Sequence, residues 1–178
     1  MKKLFFLLAS ALCLTACNAG PKVAVAYFSA TGNTRAAAQQ LASVMQADVI
    51  EIVPEDLYTP EDLDWRNRQS RNVYEEEHPD FRPALAASLP SLKEYDVVFV
   101  GYPIWAGVAP RVVLSYLDSQ DLKGKTLIPF ATSGGSSIDK SQEELQQTYS
   151  DAQWKAGMRL NDVTDSTLVQ WRADLGLK

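Results

Sequence analysis

The sequence predicts an α/β protein in which helices cover both faces of a parallel sheet. Segments rich in Val, Ile and Phe alternate along the chain with segments of helical periodicity, and this alternation is typical of parallel sheets. The run from Val97 to Val100 is apolar at every position, as expected for a strand that is covered on both faces. Polar turns rich in Gly, Ser or Thr follow two of the predicted strands, the first and the fourth.

The first half of the predicted sheet is built around one helix. Val23 to Phe28 predicts the first strand, and Arg35 to Gln46 has the pattern of a helix. Asp48 to Val53 predicts a short second strand, because its Val and Ile side chains suit a buried, pleated position.

The second half repeats this alternation. Asp96 to Gly101 predicts the third strand, and Lys125 to Ala131 the fourth, where Pro129 indicates either a bulge or the functional end of the strand. Pro110 is expected in the first turn of a helix, where its missing N–H does no harm. The other predicted elements are helices over 108–117, 138–149 and 163–175 and a weakly indicated fifth strand over 154–160.

The segment from Pro54 to Leu92, here called the crossover segment, is far longer than most connections. We interpret it as an irregular crossover that includes a helix near Ala84 to Leu92, or alternatively as a flap over a ligand. It contains the only histidine, His78, which we expect to be solvated among glutamates. Its acidic pairs lack the spacing of a calcium-binding loop, so no metal site is predicted.

A phosphate site is predicted between the first strand and the first helix, at Ser29-Ala30-Thr31-Gly32-Asn33-Thr34. Free N–H groups and the positive end of the helix dipole meet at such a turn, and Ser and Thr hydroxyls add donors. The loop contains no lysine and no G-x-G-x-x-G, which argues against a nucleoside triphosphatase and an NAD-type site. The alternative is a hydroxyl-rich helix cap without a ligand.

Two further loops are expected at the same edge of the sheet. Gly101 to Gly107 follows the third strand and carries Tyr102 and Trp105, whereas Thr132 to Ser137 follows the fourth and is rich in Gly and Ser. Ligands of open parallel sheets lie beyond the carboxyl ends of the strands. The three loops therefore predict a site for a phosphorylated planar ring, on which Trp105 offers the largest apolar face.

These loops, Tyr27 to Thr34, Gly101 to Trp105 and Thr132 to Gly135, resemble the three FMN-binding loops of the flavodoxin family. The resemblance runs from Val23 to about Leu175 and implies a short-chain flavodoxin-like domain with a five-stranded sheet of order 2-1-3-4-5 and noncovalently bound FMN. The cofactor-binding residues that it implies are Ser29, Ala30, Thr31, Gly32, Asn33, Thr34, Tyr102, Pro103, Ile104, Trp105, Ala106, Gly107, Thr132, Ser133, Gly134 and Gly135.

The N-terminus is expected to be a leader. Lys2 and Lys3 precede an apolar run that is too short to span a membrane. Leu14-Thr15-Ala16-Cys17 resembles the lipobox of bacterial lipoproteins, which implies cleavage before Cys17 and diacylation of its thiol. An ordinary signal peptide and an uncleaved anchor are the alternatives. The expected divisions are a leader over 1–16, a lipidated cysteine and linker over 17–21, and one domain over 22–178.

The expected function is electron transfer through FMN by an exported lipoprotein that is anchored to the membrane and faces the periplasm or cell exterior. Its partner would be an unidentified redox protein or small acceptor. The net charge of −5 becomes −7 when the leader removes Lys2 and Lys3, which disfavours nucleic acid as a partner. One alternative is an NAD(P)H- or quinone-dependent flavin reductase, in which residues 58–81 close over the second substrate. The other is a cofactor-free binding module of the same fold.

Overall fold

The computed structural model describes residues 20–177, which form five helices and six strands. The predicted leader and Cys17 lie outside these residues. The strands are β1 (Val23–Tyr27), β2 (Asp48–Glu51), β3 (Val97–Pro103), β4 (Thr126–Thr132), β5 (Gln153–Trp154) and β6 (Met158–Arg159). The helices are α1 (Asn33–Met45), α2 (Arg71–Glu77), α3 (Arg111–Asp118), α4 (Asp139–Thr148) and α5 (Asp165–Asp174). Within residues 20–177, no helix has the length and apolar character needed to cross a membrane.

The strands form one parallel sheet of order β2-β1-β3-β4-β5, and β6 also pairs with β4. In the middle of the sheet, Val25 pairs with Val49 on one side and with Phe99 on the other. Since β5 and β6 occupy the same position beside β4, the sheet has five positions. The predicted α/β fold with order 2-1-3-4-5 is therefore confirmed.

Two hydrophobic cores lie on opposite faces of the sheet. Val25 and Phe99 belong to the core that contains buried residues of α1 and α5, whereas Val98 and Val100 belong to the core that contains buried residues of α3 and α4. Neighbouring side chains of a strand point to opposite faces. The uninterrupted apolar runs of the sequence thus serve both cores.

The fifth strand position is interrupted opposite Pro129. Leu127 pairs with Trp154 and Phe130 with Met158, so three residues, 155–157, stand opposite two in β4. The carbonyl oxygens of Lys125, Leu127 and Ala131 accept hydrogen bonds from the fifth strand position. Pro129 lies in the same alternation but has no N–H to donate, which favours a bulge there. The fourth strand itself contains no bulge at Pro129, because β4 runs unbroken from Thr126 to Thr132; the irregularity lies in the neighbouring strand position instead.

The crossover segment contains the short helix α2 rather than a helix near Ala84 to Leu92, and that prediction is wrong. Ser70 caps α2 by accepting a hydrogen bond from Val73 N at 3.4 Å. The stretch near Leu92 is irregular because Ser88 has a φ of 71° and because Pro90 disfavours helical geometry in the residue before it.

The ends of the strands define two distinct edges. The chain enters the sheet at Val23, and every strand then runs in the same direction. The loops after β1, β3 and β4 consequently meet at the carboxyl edge. Lys22 lies at the opposite edge, where its N–H donates to the carboxylate of Asp96 just before β3.

Candidate functional site

Three loops enclose a cavity of about 270 Å³ at the carboxyl edge. We call them the first loop (Ser29 to Thr34), the second loop (Tyr102 to Gly107) and the third loop (Thr132 to Gly135). The residues that line the cavity are Thr31, Asn33, Pro103, Ile104, Trp105, Thr132, Ser133, Gly134 and Asn161. The predicted convergence of the three loops is confirmed.

The first loop leaves the N-terminus of α1 without a side-chain cap. Gly32 is the N-cap residue, with a φ of 91°, and no side chain accepts a hydrogen bond from the first turn. Ser29 Oγ instead accepts from Gly32 N at 3.1 Å, one residue before the helix. Helix amides at positions 33–35 precede the first intrahelical donor, Ala36 N. No hydroxyl of this loop caps α1, so its first helix amides remain available to an anion.

Two threonines of the first loop have different environments. Thr31 is exposed and lines the cavity. Thr34 is 1% exposed, and its hydroxyl lies 2.8 Å from the hydroxyl of Thr132 at the start of the third loop. The side chain of Thr34 therefore joins two loops, and its backbone amide is the group that faces the uncapped helix end.

The second loop presents Trp105 from a tight turn. Trp105 N donates to Val108 O at 3.1 Å, and Val108 N donates back to Trp105 O at 2.9 Å. The two residues between them, Ala106 and Gly107, have φ values of 50° and 85°. Positive φ at both central residues is the geometry of a type I′ turn, which glycine adopts without a steric cost. This turn fixes the direction in which the side chain of Trp105 extends from the backbone.

Tyr102, which the sequence assigned to the cofactor, has its side chain in the core. It is 0% exposed, and its hydroxyl lies 3.1 Å from Ser141 Oγ in α4. Burial raises the pKa of Tyr102, so its phenol stays protonated at neutral pH. Any contact that Tyr102 makes with a ligand in the cavity would come from its backbone.

The third loop is held by a residue that sequence reasoning missed. Asn161, just after β6, accepts a hydrogen bond from Ser133 N at 3.0 Å and lines the cavity. Ser133 Oγ accepts from Gly135 N at 3.1 Å and from Ser136 N at 2.8 Å. A lone Asn after a weakly predicted strand carries little signal. Only its position at the end of the fifth strand, beside the third loop, could have indicated it.

Two aromatic side chains pack against Trp105. Its ring centroid lies 5.6 Å from that of Phe28 and 5.1 Å from that of Tyr58, both in edge-on geometry. Burial, and then the nearby carboxylate of Glu75, raises the pKa of Tyr58. The Tyr58 hydroxyl is therefore a donor over the whole physiological pH range.

The residues of the cavity suit a phosphorylated planar ring. The uncapped end of α1 and the exposed hydroxyl of Thr31 offer donors to a phosphate, and the indole of Trp105 offers an apolar surface to a ring. Within residues 20–177, no group of three or more His, Cys, Asp or Glu side chains is placed to hold a metal ion. His78 is exposed and stacks on Tyr74, with centroids 4.1 Å apart.

A larger cavity, of about 540 Å³, lies at the opposite edge between the ends of α3 and α4. It contains none of the predicted site residues. One of its three acidic lining residues, Asp118, already accepts from Tyr149 and pairs with Arg82 at 2.7 Å. The 270 Å³ cavity is therefore the better candidate site, despite its smaller volume.

Comparison with known proteins agrees with the fold. The sequence model of the flavodoxin family matches residues 22–175, whereas no curated protein matches the chain. A structure from Bacteroides eggerthii, provisionally described as a flavoprotein, is 44% identical, with a TM-score of 0.86 over 89% of this chain and 99% of that one. A similarly described protein from Bacteroides uniformis is also 44% identical, with a TM-score of 0.83 over 87% and 99% of the two chains.

A more distant structure shares the fold alone. It is a flavoprotein from Lactobacillus acidophilus in complex with FMN, 19% identical, with a TM-score of 0.67 over 85% of this chain and 98% of that one.

Proposed function

The chain belongs to the flavodoxin family, and on this premise we propose that it binds FMN at the carboxyl edge of its sheet and transfers electrons through it. The observation that carries the proposal is the uncapped N-terminus of α1 beside Trp105 in one cavity. The FMN complex of the Lactobacillus acidophilus flavoprotein, which has the same fold, supports the choice of ligand.

Each loop has a role in this proposal. The amides at the start of α1 and the hydroxyl of Thr31 would hold the phosphate, whose charge is favoured at a helix N-terminus. Trp105 would pack against the ring, and the third loop, fixed by Asn161, would border it. When bound, FMN supplies reversible electron acceptance. The chain's own residues hold the ring and restrict its access to water.

A titration with FMN tests the proposal. We expect the visible absorbance and the fluorescence of FMN to change on binding to the wild-type protein. Thr31→Ala should weaken binding about 10- to 100-fold, because a hydrogen bond to a charged group contributes ~1.5–3 kcal/mol. Thr148→Ala is a matched control, since this exposed hydroxyl bonds Glu144 O on α4 and should not affect binding.

The outcomes separate the candidate functions. If the wild-type protein does not bind added FMN, both redox functions are excluded and a cofactor-free binding module remains. If FMN binds but Thr31→Ala has the wild-type dissociation constant, the assignment of the phosphate to the first loop is wrong.

A flavin reductase is the second candidate. The observation that favours it is the position of the crossover segment, since Tyr58 packs directly against Trp105 of the candidate site. A segment at this position is suited to covering a second substrate. Reduction of the bound flavin by NAD(P)H or by a quinol, without a helper protein, would distinguish this function from that of a carrier.

We also propose that the chain is an exported lipoprotein. The support for this is the sequence Leu14-Thr15-Ala16-Cys17 behind a short apolar run. In such a protein the lipid on Cys17 holds the domain at the membrane, and the electron donor and acceptor are reached on the outer side of the cytoplasmic membrane.

A further inference from the structure

Tyr58 of the crossover segment packs against an aromatic residue of the candidate site, Trp105. Its ring centroid lies 5.1 Å from that of Trp105 and 5.4 Å from that of Phe28. Trp105 lines the 270 Å³ cavity, whereas Tyr58 lines a separate cavity of about 180 Å³ on the other side of the first loop. Tyr58 therefore touches the site through Trp105.

A buried carboxylate fixes the orientation of Tyr58. The Tyr58 hydroxyl lies 2.9 and 2.8 Å from the two carboxylate oxygens of Glu75 in α2. Arg71 Nε donates to the same carboxylate at 2.8 Å, and the Arg71 guanidinium lies 3.9 Å from the centroid of the Tyr58 ring. The phenol is thus held both at its hydroxyl and over one ring face.

The carboxylate itself is held by its surroundings. Glu75 is 2% exposed, and burying a charge is costly unless it is paired and hydrogen-bonded. Arg111 Nε donates to the backbone carbonyl of Glu75 at 3.3 Å, and Arg111 also pairs with Glu144 of α4 at 2.9 Å. These contacts join α2 to α3 and α4, so Tyr58 is anchored to the main body of the domain.

Stability alone would not require a buried carboxylate between Tyr58 and Arg71. Replacement of a buried ion pair by apolar side chains of similar volume is often neutral or stabilising. Directional hydrogen bonds on Tyr58, in contrast, restrict the orientation of its ring, and this ring packs edge-on against the indole of Trp105.

We propose that Tyr58, held by Glu75 and Arg71, is a positioning residue that keeps the Trp105 indole in the orientation in which it meets the flavin ring. This inference rests on the proposed FMN site. In this proposal the crossover segment supports the ring-binding tryptophan from behind. Breaking the Tyr58–Glu75 contact releases that tryptophan without removing any residue that touches FMN.

The test combines a measurement without FMN and one with it. The protein is labelled with 5-fluorotryptophan, and the ¹⁹F resonance of Trp105 is assigned among the four tryptophans with Trp105→Phe. In Tyr58→Phe, which keeps the ring and loses the hydroxyl, we expect this resonance to broaden or split. The dissociation constant of FMN should rise about two- to tenfold, the range expected for the loss of one hydrogen bond.

Two variants of Glu75 and one control sharpen the test. Glu75→Leu should behave like Tyr58→Phe, because Leu offers no acceptor. Glu75→Gln keeps one oxygen acceptor for the phenol and should retain most of the wild-type behaviour. Tyr116→Phe is the matched control: its buried hydroxyl also bonds the crossover segment, at Pro90 O, 2.6 Å away, but it does not touch Trp105. This variant should leave both readouts unchanged.

The outcomes of these measurements distinguish this inference from the proposed function. A sharp, unshifted Trp105 resonance and an unchanged dissociation constant in Tyr58→Phe overturn the positioning role, even if FMN binds well. If equal changes occur in Tyr116→Phe, the effect is a general loosening of the crossover segment, and the role is also overturned. If the wild-type protein does not bind FMN, the proposed function fails, whereas a Trp105 resonance that broadens only in Tyr58→Phe and Glu75→Leu still shows that Tyr58 orients Trp105.

Discussion

At the scale of single residues, the pair Thr34 and Thr132 joins two loops of the site from inside the protein. Both side chains are buried, at 1% and 6% exposure, and their hydroxyls lie 2.8 Å apart. One loop follows β1 and the other follows β4, so this hydrogen bond spans β3 between them. It sets the distance between the proposed phosphate loop and the loop that borders the ring.

The contribution of this pair can be measured with a double-mutant cycle. Thr34→Val keeps the shape of the side chain but leaves the buried hydroxyl of Thr132 without a partner. We expect the free energy of unfolding to fall by ~1–3 kcal/mol in urea denaturation. The double variant Thr34→Val, Thr132→Val should lose less than the sum of the single variants, because neither hydroxyl remains unpaired.

Thr31→Val is the matched control for stability, since Thr31 is the exposed threonine of the same loop. Its free energy of unfolding should remain within about 0.5 kcal/mol of the wild-type value. Additive losses in the double variant would show that the two hydroxyls are not coupled.

At the scale of elements, the bulge between β5 and β6 shows how one proline shapes its neighbour. Gly157 completes the bulge, and its N–H donates to Gln142 Oε1 of α4 at 2.6 Å. A Cβ atom on Gly157 would lie 2.4 Å from the carbonyl oxygen of Pro129 and 2.9 Å from Gln142 Oε1. Only a residue without a side chain fits between β4 and α4 here.

Gly157→Ala should therefore destabilise the protein, because backbone atoms must move to admit the methyl group. We expect a loss of ~1–3 kcal/mol in the free energy of unfolding, as for other overpacked sites, measured in urea. Gly135→Ala provides the comparison, since a Cβ atom there would meet nothing within 4 Å. Equal stability of the two variants would contradict the close approach at Gly157.

The individual elements differ in how far the sequence predicts them. The order of strands and helices and the meeting of the three loops follow from local patterns and from the family resemblance. The effect of Pro129 is predicted for its own strand but falls in the neighbouring one, where its missing N–H leaves a donor position empty. Helix α2 does not follow from local patterns. Its seven residues are stabilised by the Ser70 cap and by the distant partners of Glu75. The contact of Tyr58 with Trp105 joins residues 47 positions apart, and no local pattern encodes such a pair.

At the scale of the whole molecule, the proposed lipid anchor makes a prediction that is independent of the flavin site. In a bacterial host that processes lipoproteins, the full-length chain should sediment with membranes and carry acyl groups on Cys17, as mass spectrometry would show. Cys17→Ala should leave the protein without acyl groups, and its binding of FMN should equal that of the wild type. A wild-type chain that is cleaved at another position and carries no acyl group would contradict the anchor.

Because of the direction of β1, the chain enters the sheet from the proposed anchor at the edge opposite the candidate site. The chain enters the sheet at Val23, and the first loop begins after Phe28, on the far side. Strands rise ~3.3 Å per residue, so the sheet separates these two points by roughly 16 Å. A domain held by its N-terminus would thus turn the proposed FMN site toward the aqueous compartment. Partners that diffuse in solution would then reach the site without crossing the layer between the domain and the lipid.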